Sequence, residues 1–517
     1  MKLLIRASLL ALAGLLPFAV SSQAQYAVQS LQLNQNNSGD YPLEYDWNRD
    51  GIPDFLASAD TNQNLISNSK SGTYTYQKAP GSLEGAIGDF NNDGKIDYAF
   101  ASINYFYVYY GNGSGGFTPG PSSQGAPGVL GCFAYVVADF NGDGRQDIAG
   151  AFETSQTSTT GGTFGVALYL NNGDGFDTGK IVFQSTIPAN NQGGWPYTPP
   201  GTNTATLFFD FAIGDFDADG HADLMLRTMY SSENTSQPIP TTDIRVLYGD
   251  GRGNFTANTV TSNHTLDQVS TADMNNDGFS DIVALNGNTT TIYYGHPNRT
   301  FTSASVSSPG GDYMQPMLVD VTGDGLKDII YLATCPANYT CPDGPTGQIP
   351  TGAITLVQTP SHTFKSTGFT QVQDVFSRGF IGDFNHDGKL DAALFTGQEE
   401  NSNYQLNDHL YLIKNTRSIT PFCPAPASPG FHVCGPASGA SVASPVKFNF
   451  SASAVYPIRK MEVWIDGSKR SETYNTVGQQ AYANPSLSLS AGTHRVTLFS
   501  GAYDGSTQKT SYSITVK

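Results

Sequence analysis

Asp89-Phe90-Asn91-Asn92-Asp93-Gly94-Lys95-Ile96-Asp97 decides how the rest of the chain is read, because the same nine-residue pattern recurs along residues 46 to 391. Its seven copies begin at Asp46, Asp89, Asp139, Asp215, Asp273, Asp320 and Asp383; each has Asp at positions 1, 5 and 9 and Gly at position 6. Short oxygen-bearing side chains at positions 1, 3 and 5 can converge on one hard cation, as in the first half of an EF-hand loop, and the glycine allows the sharp turn. Position 7 varies freely, which fits a ligand supplied only by its backbone carbonyl. The Asp at position 9 closes the cage.

The expected ligands are therefore Asp46, Asn48, Asp50, Ile52 and Asp54; Asp89, Asn91, Asp93, Lys95 and Asp97; Asp139, Asn141, Asp143, Arg145 and Asp147; and Asp215, Asp217, Asp219, His221 and Asp223. The last three sets are Asp273, Asn275, Asp277, Phe279 and Asp281; Asp320, Thr322, Asp324, Leu326 and Asp328; and Asp383, Asn385, Asp387, Lys389 and Asp391. Thr322 is the one departure at position 3, and its neutral hydroxyl makes the Asp320 loop the weakest site. Up to seven calcium ions are expected. The competing reading is an Asp/Asn-Gly hairpin turn with no metal. Retention of Asp at position 9 in all seven copies, which a bare turn does not need, favours the cation.

An EF-hand would continue into a helix with Glu at position 12. These loops run instead into Asp97-Tyr-Ala-Phe-Ala, Asp147-Ile-Ala-Gly-Ala and Asp328-Ile-Ile-Tyr-Leu, which read as strands. Apolar pairs such as Ala86-Ile87 and Val136-Val137 precede the loops. Each loop thus joins two strands, A and B. A second signature follows: Tyr107-Val-Tyr-Tyr110 enters a Gly-rich turn ending at Phe117, and Ala167-Leu-Tyr-Leu170 enters one ending at Phe176. Those are strands C and D of a four-stranded antiparallel unit. Loop starts are spaced by 43, 50, 76, 58, 47 and 63 residues, matching propeller blades with insertions. Gly111, Gly113 and Gly116 satisfy G-x-G-x-x-G, but no helix follows, so the dinucleotide reading is rejected. The last unit lacks a strand D, and Ala27 to Leu33 is a spare strand that completes it.

These loops make residues 26 to 418 resemble the FG-GAP/VCBS repeat family, the calcium-loop propellers of integrin alpha subunits and many secreted bacterial proteins. The resemblance implies an all-β, seven-bladed β-propeller with calcium between strands A and B, and no single activity. After the Pro-rich linker the remaining strands resemble a bacterial immunoglobulin-like β-sandwich, with Trp464 expected as its core aromatic. The domain reading is 1–24 signal peptide, 25–418 propeller, 419–430 linker and 431–517 sandwich.

The chain has 517 residues and a formal charge of −18, and the seven loops hold 22 of its 44 acidic residues. That acidity argues against nucleic-acid binding, which requires a basic face. Met1 to Ala24 has the three parts of a secretory signal, so a secreted, periplasmic or cell-surface protein is expected. No segment is long enough for a comfortable membrane span. Of five cysteines, Cys335 with Cys341 and Cys423 with Cys434 are spaced to pair locally, leaving Cys132 as a buried thiol.

No zinc spacing occurs among the eight histidines and no nucleophile elbow is present, so an enzyme is not the expected reading. Glu84 or Glu399-Glu400 are the acids available for the alternative, an extracellular polysaccharide hydrolase or lyase. A purely structural surface protein is the third reading. Long insertions fall in the B-to-C connections, and 185–204, with Trp195 and Tyr197, joins a strand D to the next A. These connections share the end of the blades opposite the calcium loops. An unidentified extracellular glycan or protein is thus expected there, with Trp195 and Tyr197 as candidate contacts, on a monomer.

Overall fold

In the computed structural model the described residues are 26–32, 43–45, 47, 54–59, 62–68, 74–79, 85–102, 104–154, 163–186, 206–231, 242–264, 268–286, 289–307, 316–334, 351–372, 376–382, 384, 391–396, 409–415, 423–455, 458–473, 479–502 and 505–517. All regular structure among them is β-strand.

Among the described residues, seven small antiparallel sheets succeed one another along the repeats. The third sheet is typical: Ala134–Ala138, Asp147–Glu153, Thr163–Tyr169 and Lys180–Thr186 pair in chain order. In the second sheet the outer strand is broken into Phe117–Pro119 and Ser123–Gln124, both pairing with Tyr105–Gly111. Pro119 and Pro121 explain the break, since proline cannot donate to a ladder. The seventh sheet takes its outer strand from the other end of the chain. Tyr26–Gln32 pairs antiparallel with His409–Asn415, Tyr26 opposite Asn415.

The first strands of successive sheets lie side by side, from Ala86–Gly88 through Ala134–Ala138, Thr206–Gly214, Val269–Ala272 and Met317–Val319 to Phe376–Gly382. Apolar layers fill the spaces between sheets. Between the third and fourth, alternate residues Ala149 and Ala151 meet Leu224 and Leu226, with Phe140 wedged at the loop end. Trp47, Phe90, Phe140, Phe216, Met274, Val321 and Phe384, the position-2 residues of all seven loops, are buried, as inter-sheet packing requires. Burying each aromatic stabilises by roughly 1.5 to 3 kcal/mol. Repeated small sheets packed face to face in this order give a propeller-like fold.

The C-terminal unit has its own core, formed by Phe448, Phe450, Met461, Val463, Ile465, Val496, Leu498 and Ile514. Its two larger sheets are three- and five-stranded. Trp464 is not in that core. Met461, Val463 and Ile465 point inward, so strand alternation turns Glu462 and Trp464 to the other face, where Trp464 Nε1–H donates to Glu462 Oε2 at 2.6 Å. Phe448 and Phe450 are the fully buried aromatics of that core.

Cys423 and Cys434 form a disulfide, and Cys132 is a buried thiol outside it. Cys335 and Cys341 lie outside the described residues, as does the signal-like segment. The carbonyls of Pro424 and Pro426 accept the hydroxyls of Ser451 and Ser453, so this stretch is fastened to the C-terminal unit. No described helix is long and apolar enough to cross a membrane.

Candidate metal centre in the acidic loops

The Asp89, Asp139, Asp215, Asp273 and Asp320 loops are described throughout. Of the Asp46 and Asp383 loops only positions 2 and 9 are, so Asp46, Asn48, Asp50, Ile52, Asp383, Asn385, Asp387 and Lys389 lie outside the described residues. Trp195, Tyr197, Glu84, Glu399 and Glu400 do too.

Each of the five loops wraps around its first carboxylate. Asp89 Oδ1 accepts the Asp93 N–H and Oδ2 accepts the Gly94 N–H, both at 3.0 Å. Asp139, Asp215, Asp273 and Asp320 repeat the pair within 2.8 to 3.1 Å. Position 5 accepts the N–H of position 7, for example Lys95 N–H to Asp93 Oδ1 at 2.9 Å. Holding that curl requires left-handed backbone at position 6, where Gly94 has φ 79° and Gly278 φ 94°. Position 4 is left-handed as well, in Asn92, Gly142, Ala218, Asn276 and Gly323. The Asn and Gly there were a readable signal of the turn.

The position-9 carboxylate does more than the sequence suggested. Asp97 Oδ2 accepts the Phe90 N–H at 2.8 Å and Oδ1 accepts the Gly111 N–H, at the end of strand C, at 2.9 Å. Asp147, Asp223, Asp281 and Asp328 make the same two bonds. Position 9 thus ties loop to sheet with or without a cation. Its retention no longer discriminates against a metal-free turn.

What favours a cation is the uncompensated charge. Burial pushes the Asp97, Asp147 and Asp328 carboxyls up to about 7, against the pull of their amide bonds, and Asp89 up to about 6. In the Asp215 loop burial again leads, and Asp217, Asp219 and Asp223 repel Asp215, holding it far above the carboxylate range. Carboxylate oxygens of Asp215, Asp217 and Asp223 lie within 4.8 Å of one another. Asp217 Oδ2 takes the Arg299 guanidinium at 3.0 Å, while its Oδ1 is buried without a hydrogen-bond partner. Three clustered carboxylates, one of which has an oxygen without a partner, suit a divalent cation of calcium's class.

Two loops are better compensated from within. Arg145 pairs with Asp143, and its Nε–H donates to the Asn171 carbonyl at 2.7 Å; Lys95 pairs with Asp93 at 2.9 Å. In the Asp320 loop Thr322 donates its hydroxyl to Asp320 Oδ1 at 3.2 Å. Lys327 adds a cation there, its pKa lowered by burial although Asp320, Asp273 and Asp328 oppose the shift. Cys423, His432 and Cys434 also cluster, but the disulfide occupies both sulfurs.

The FG-GAP-like repeat model matches residues 89–150, 215–284 and 273–331, which contain the five described loops. No curated protein matches the chain. Among solved structures, an Agrocybe aegerita lectin reported to recognise non-reducing terminal N-acetylglucosamine is 17% identical, covering 71% of this chain and 86% of its own, with a TM-score of 0.40. The V. cholerae biofilm matrix protein Bap1 is 10% identical over 77% of this chain and 88% of its own, at 0.25. An exo-beta-1,3-galactanase from Phanerochaete chrysosporium is 10% identical over 89% and 94%, at 0.24.

Proposed function

We propose that this chain, which carries FG-GAP-like repeats, is an exported seven-bladed β-propeller with an immunoglobulin-like C-terminal sandwich. On this reading it binds calcium in its A-to-B loops and acts as an adhesion or ligand-binding module. The observation that carries the metal reading is the Asp215, Asp217 and Asp223 cluster, with its buried, unpartnered Asp217 oxygen. Calcium would be held there by those three side chains and Asp219, with the His221 carbonyl as a further oxygen. When bound it supplies charge neutralisation, so that the loop keeps its shape without protons. The protein's own residues do the rest. Position 1 fixes the curl, position 9 fastens it to the sheet, and position 2 packs it between sheets.

Ligand binding belongs at the other end of the blades. Strand Asp147–Glu153 leaves its loop at Asp147 and ends at Glu153, and Thr163–Tyr169 returns from that far end. The inserted connections therefore emerge away from the acidic loops, where loops on a rigid scaffold carry recognition. Trp195 and Tyr197 belong to one of these connections, and aromatic rings of this kind stack on sugars or anchor protein interfaces.

Two measurements test the reading. Native mass spectrometry should count bound calcium ions that a chelator removes. A glycan and cell-surface protein array should give calcium-dependent binding that Trp195→Ala with Tyr197→Ala abolishes without changing the melting temperature. A chain that binds no calcium sinks the metal reading; blank arrays together with depolymerisation of a polysaccharide would replace binding by catalysis.

A further inference from the structure

Four acidic loops meet the C-terminal unit. At Gly220, a Cβ would stand 3.2 Å from the Lys469 carbonyl oxygen, and at Gly278 it would stand 3.1 Å from that of Ser486. The Gly325 carbonyl accepts Asn484 Nδ2–H at 3.1 Å, and also Asn276 Nδ2–H from the neighbouring loop at 3.1 Å. Gly505 lies so close to Asp89 that a Cβ there would be 2.9 Å from Oδ2. Between the two parts remains a cavity of about 50 Å³, with Asp273, Ser280 and Lys327 on the loop side and Glu472, Tyr482 and Asn484 opposite. That volume holds only a few waters.

The charges across this contact do not balance. The Asp215, Asp273 and Asp320 loops contain ten Asp residues and one lysine, Lys327. The C-terminal unit brings little to offset them. Its facing backbone atoms are carbonyl oxygens; Lys460 is engaged with Glu462 and Glu472, and Lys469, the one cation that also feels Asp215, is paired with Glu472. Burial raises the Glu472 pKa but the two ammonium groups outweigh it, leaving the carboxyl at about 2. Covering uncompensated carboxylates with a second unit takes them further from water, which is costly unless an opposite charge is present. Divalent cations in the covered loops supply that charge without changing the surface that Lys469, Asn484 and Ser486 meet.

We infer that the C-terminal unit is a latch on the acidic-loop end of the repeats, closed when those loops hold their cations and released when they lose them. This rests on the metal reading proposed above. It also assigns the loop end to an intramolecular interface, leaving the opposite end for ligand.

The full-length protein tests it, with calcium alone as probe. Bound ions are counted by native mass spectrometry, and hydrogen exchange is followed in 468–473 and 480–487, with 492–502 as internal reference. Removing calcium should speed exchange in the two contact segments at least tenfold, leave 492–502 protected, and raise the radius of gyration in X-ray scattering. Asn484→Asp, which sets a carboxylate against the Gly325 carbonyl, should speed exchange in 480–487 at saturating calcium with the ion count unchanged. Ions lost while exchange and radius stay fixed would overturn the latch and leave the metal reading standing. No ions bound at any calcium concentration would overturn both, and the mass spectra tell the two failures apart.

Discussion

The Asp215 and Asp139 loops share a backbone path and differ at four positions, of which position 8 is Ala222 in one and Gln146 in the other. Position 3 is Asp217 in one and Asn141 in the other, position 4 is Ala218 against Gly142, and position 7 is His221 against Arg145. In the Asp139 loop Asn141 donates to Asp143, Arg145 neutralises Asp143, and glycine takes the left-handed position without strain. The Asp215 loop has a fourth carboxylate, a left-handed alanine at φ 56° and a guanidinium borrowed from Arg299 of the fifth sheet. Arg299 also lies 4.3 Å above the Tyr248 ring, so it staples two sheets together. One loop closes on itself; the other accumulates charge that a cation would neutralise and backbone strain that a glycine would relieve.

The largest expected effect separates the loops from the rest of the fold. Metal-free Asp97, Asp147 and Asp328 stay protonated up to about pH 7 when folded but ionise near 3.8 when unfolded. In chelator, stability should therefore be highest at low pH and fall as pH rises from about 4 to 7. Calcium competes with those protons, so in about 1 mM calcium the slope should reverse. At dissociation constants of about 0.1 mM each site contributes about 1.4 kcal/mol, roughly 10 kcal/mol for seven. Identical melting profiles against pH in chelator and calcium would remove the metal from the account.

Next comes position 9. Asp223→Ala strands two buried amides, those of Phe216 and Gly249, and should cost about 2 to 4 kcal/mol in urea melts, even in chelator. Asp147→Ala should cost a similar amount in chelator. In calcium the Asp223 variant should lose more, because its loop relies on the ion; equal losses would erase the contrast.

Smaller still, Asp217→Asn makes position 3 of the Asp215 loop like that of the Asp139 loop. It should weaken calcium binding at that site about tenfold by calorimetry, while Arg145→Ala, which frees Asp143, strengthens binding in its own loop. Opposite signs sharpen the comparison and equal signs break it. The smallest effect concerns backbone strain: Ala218→Gly should raise chelator-state stability by about 1 kcal/mol, and Gly142→Ala should lower it by a similar amount.

The sheets were legible because seven copies of one loop acted as an internal alignment, and strand alternation on either side fixed what paired with what. Position 2 was legible for the same reason: an apolar residue beside a turn has nowhere to go but the inter-sheet layer. The second role of position 9 was hidden, because a carboxylate that accepts two amides and one that ligates a cation are the same letter in a sequence. Trp464 was misplaced because an aromatic residue was assumed to face inward, although the alternation of Met461, Val463 and Ile465 already turned it away. The meeting of Asn484 with Gly325 was beyond sequence reasoning altogether, since nothing local marks a contact between units 159 residues apart.

The pairing of Tyr26–Gln32 with His409–Asn415 imposes an order of events on the growing chain. The first described strand is made long before its partner, and until the two meet the edge of His409–Asn415 offers unpaired N–H and C=O groups to any passing strand. Contacts of such long sequence separation form slowly, because nearly the whole repeat region must be in place before closing them becomes favourable. Tyr26–Gln32 therefore acts as a seal on assembly. A chain shortened before Gln32 would carry an open edge, and its characteristic failure would be concentration-dependent association through that edge.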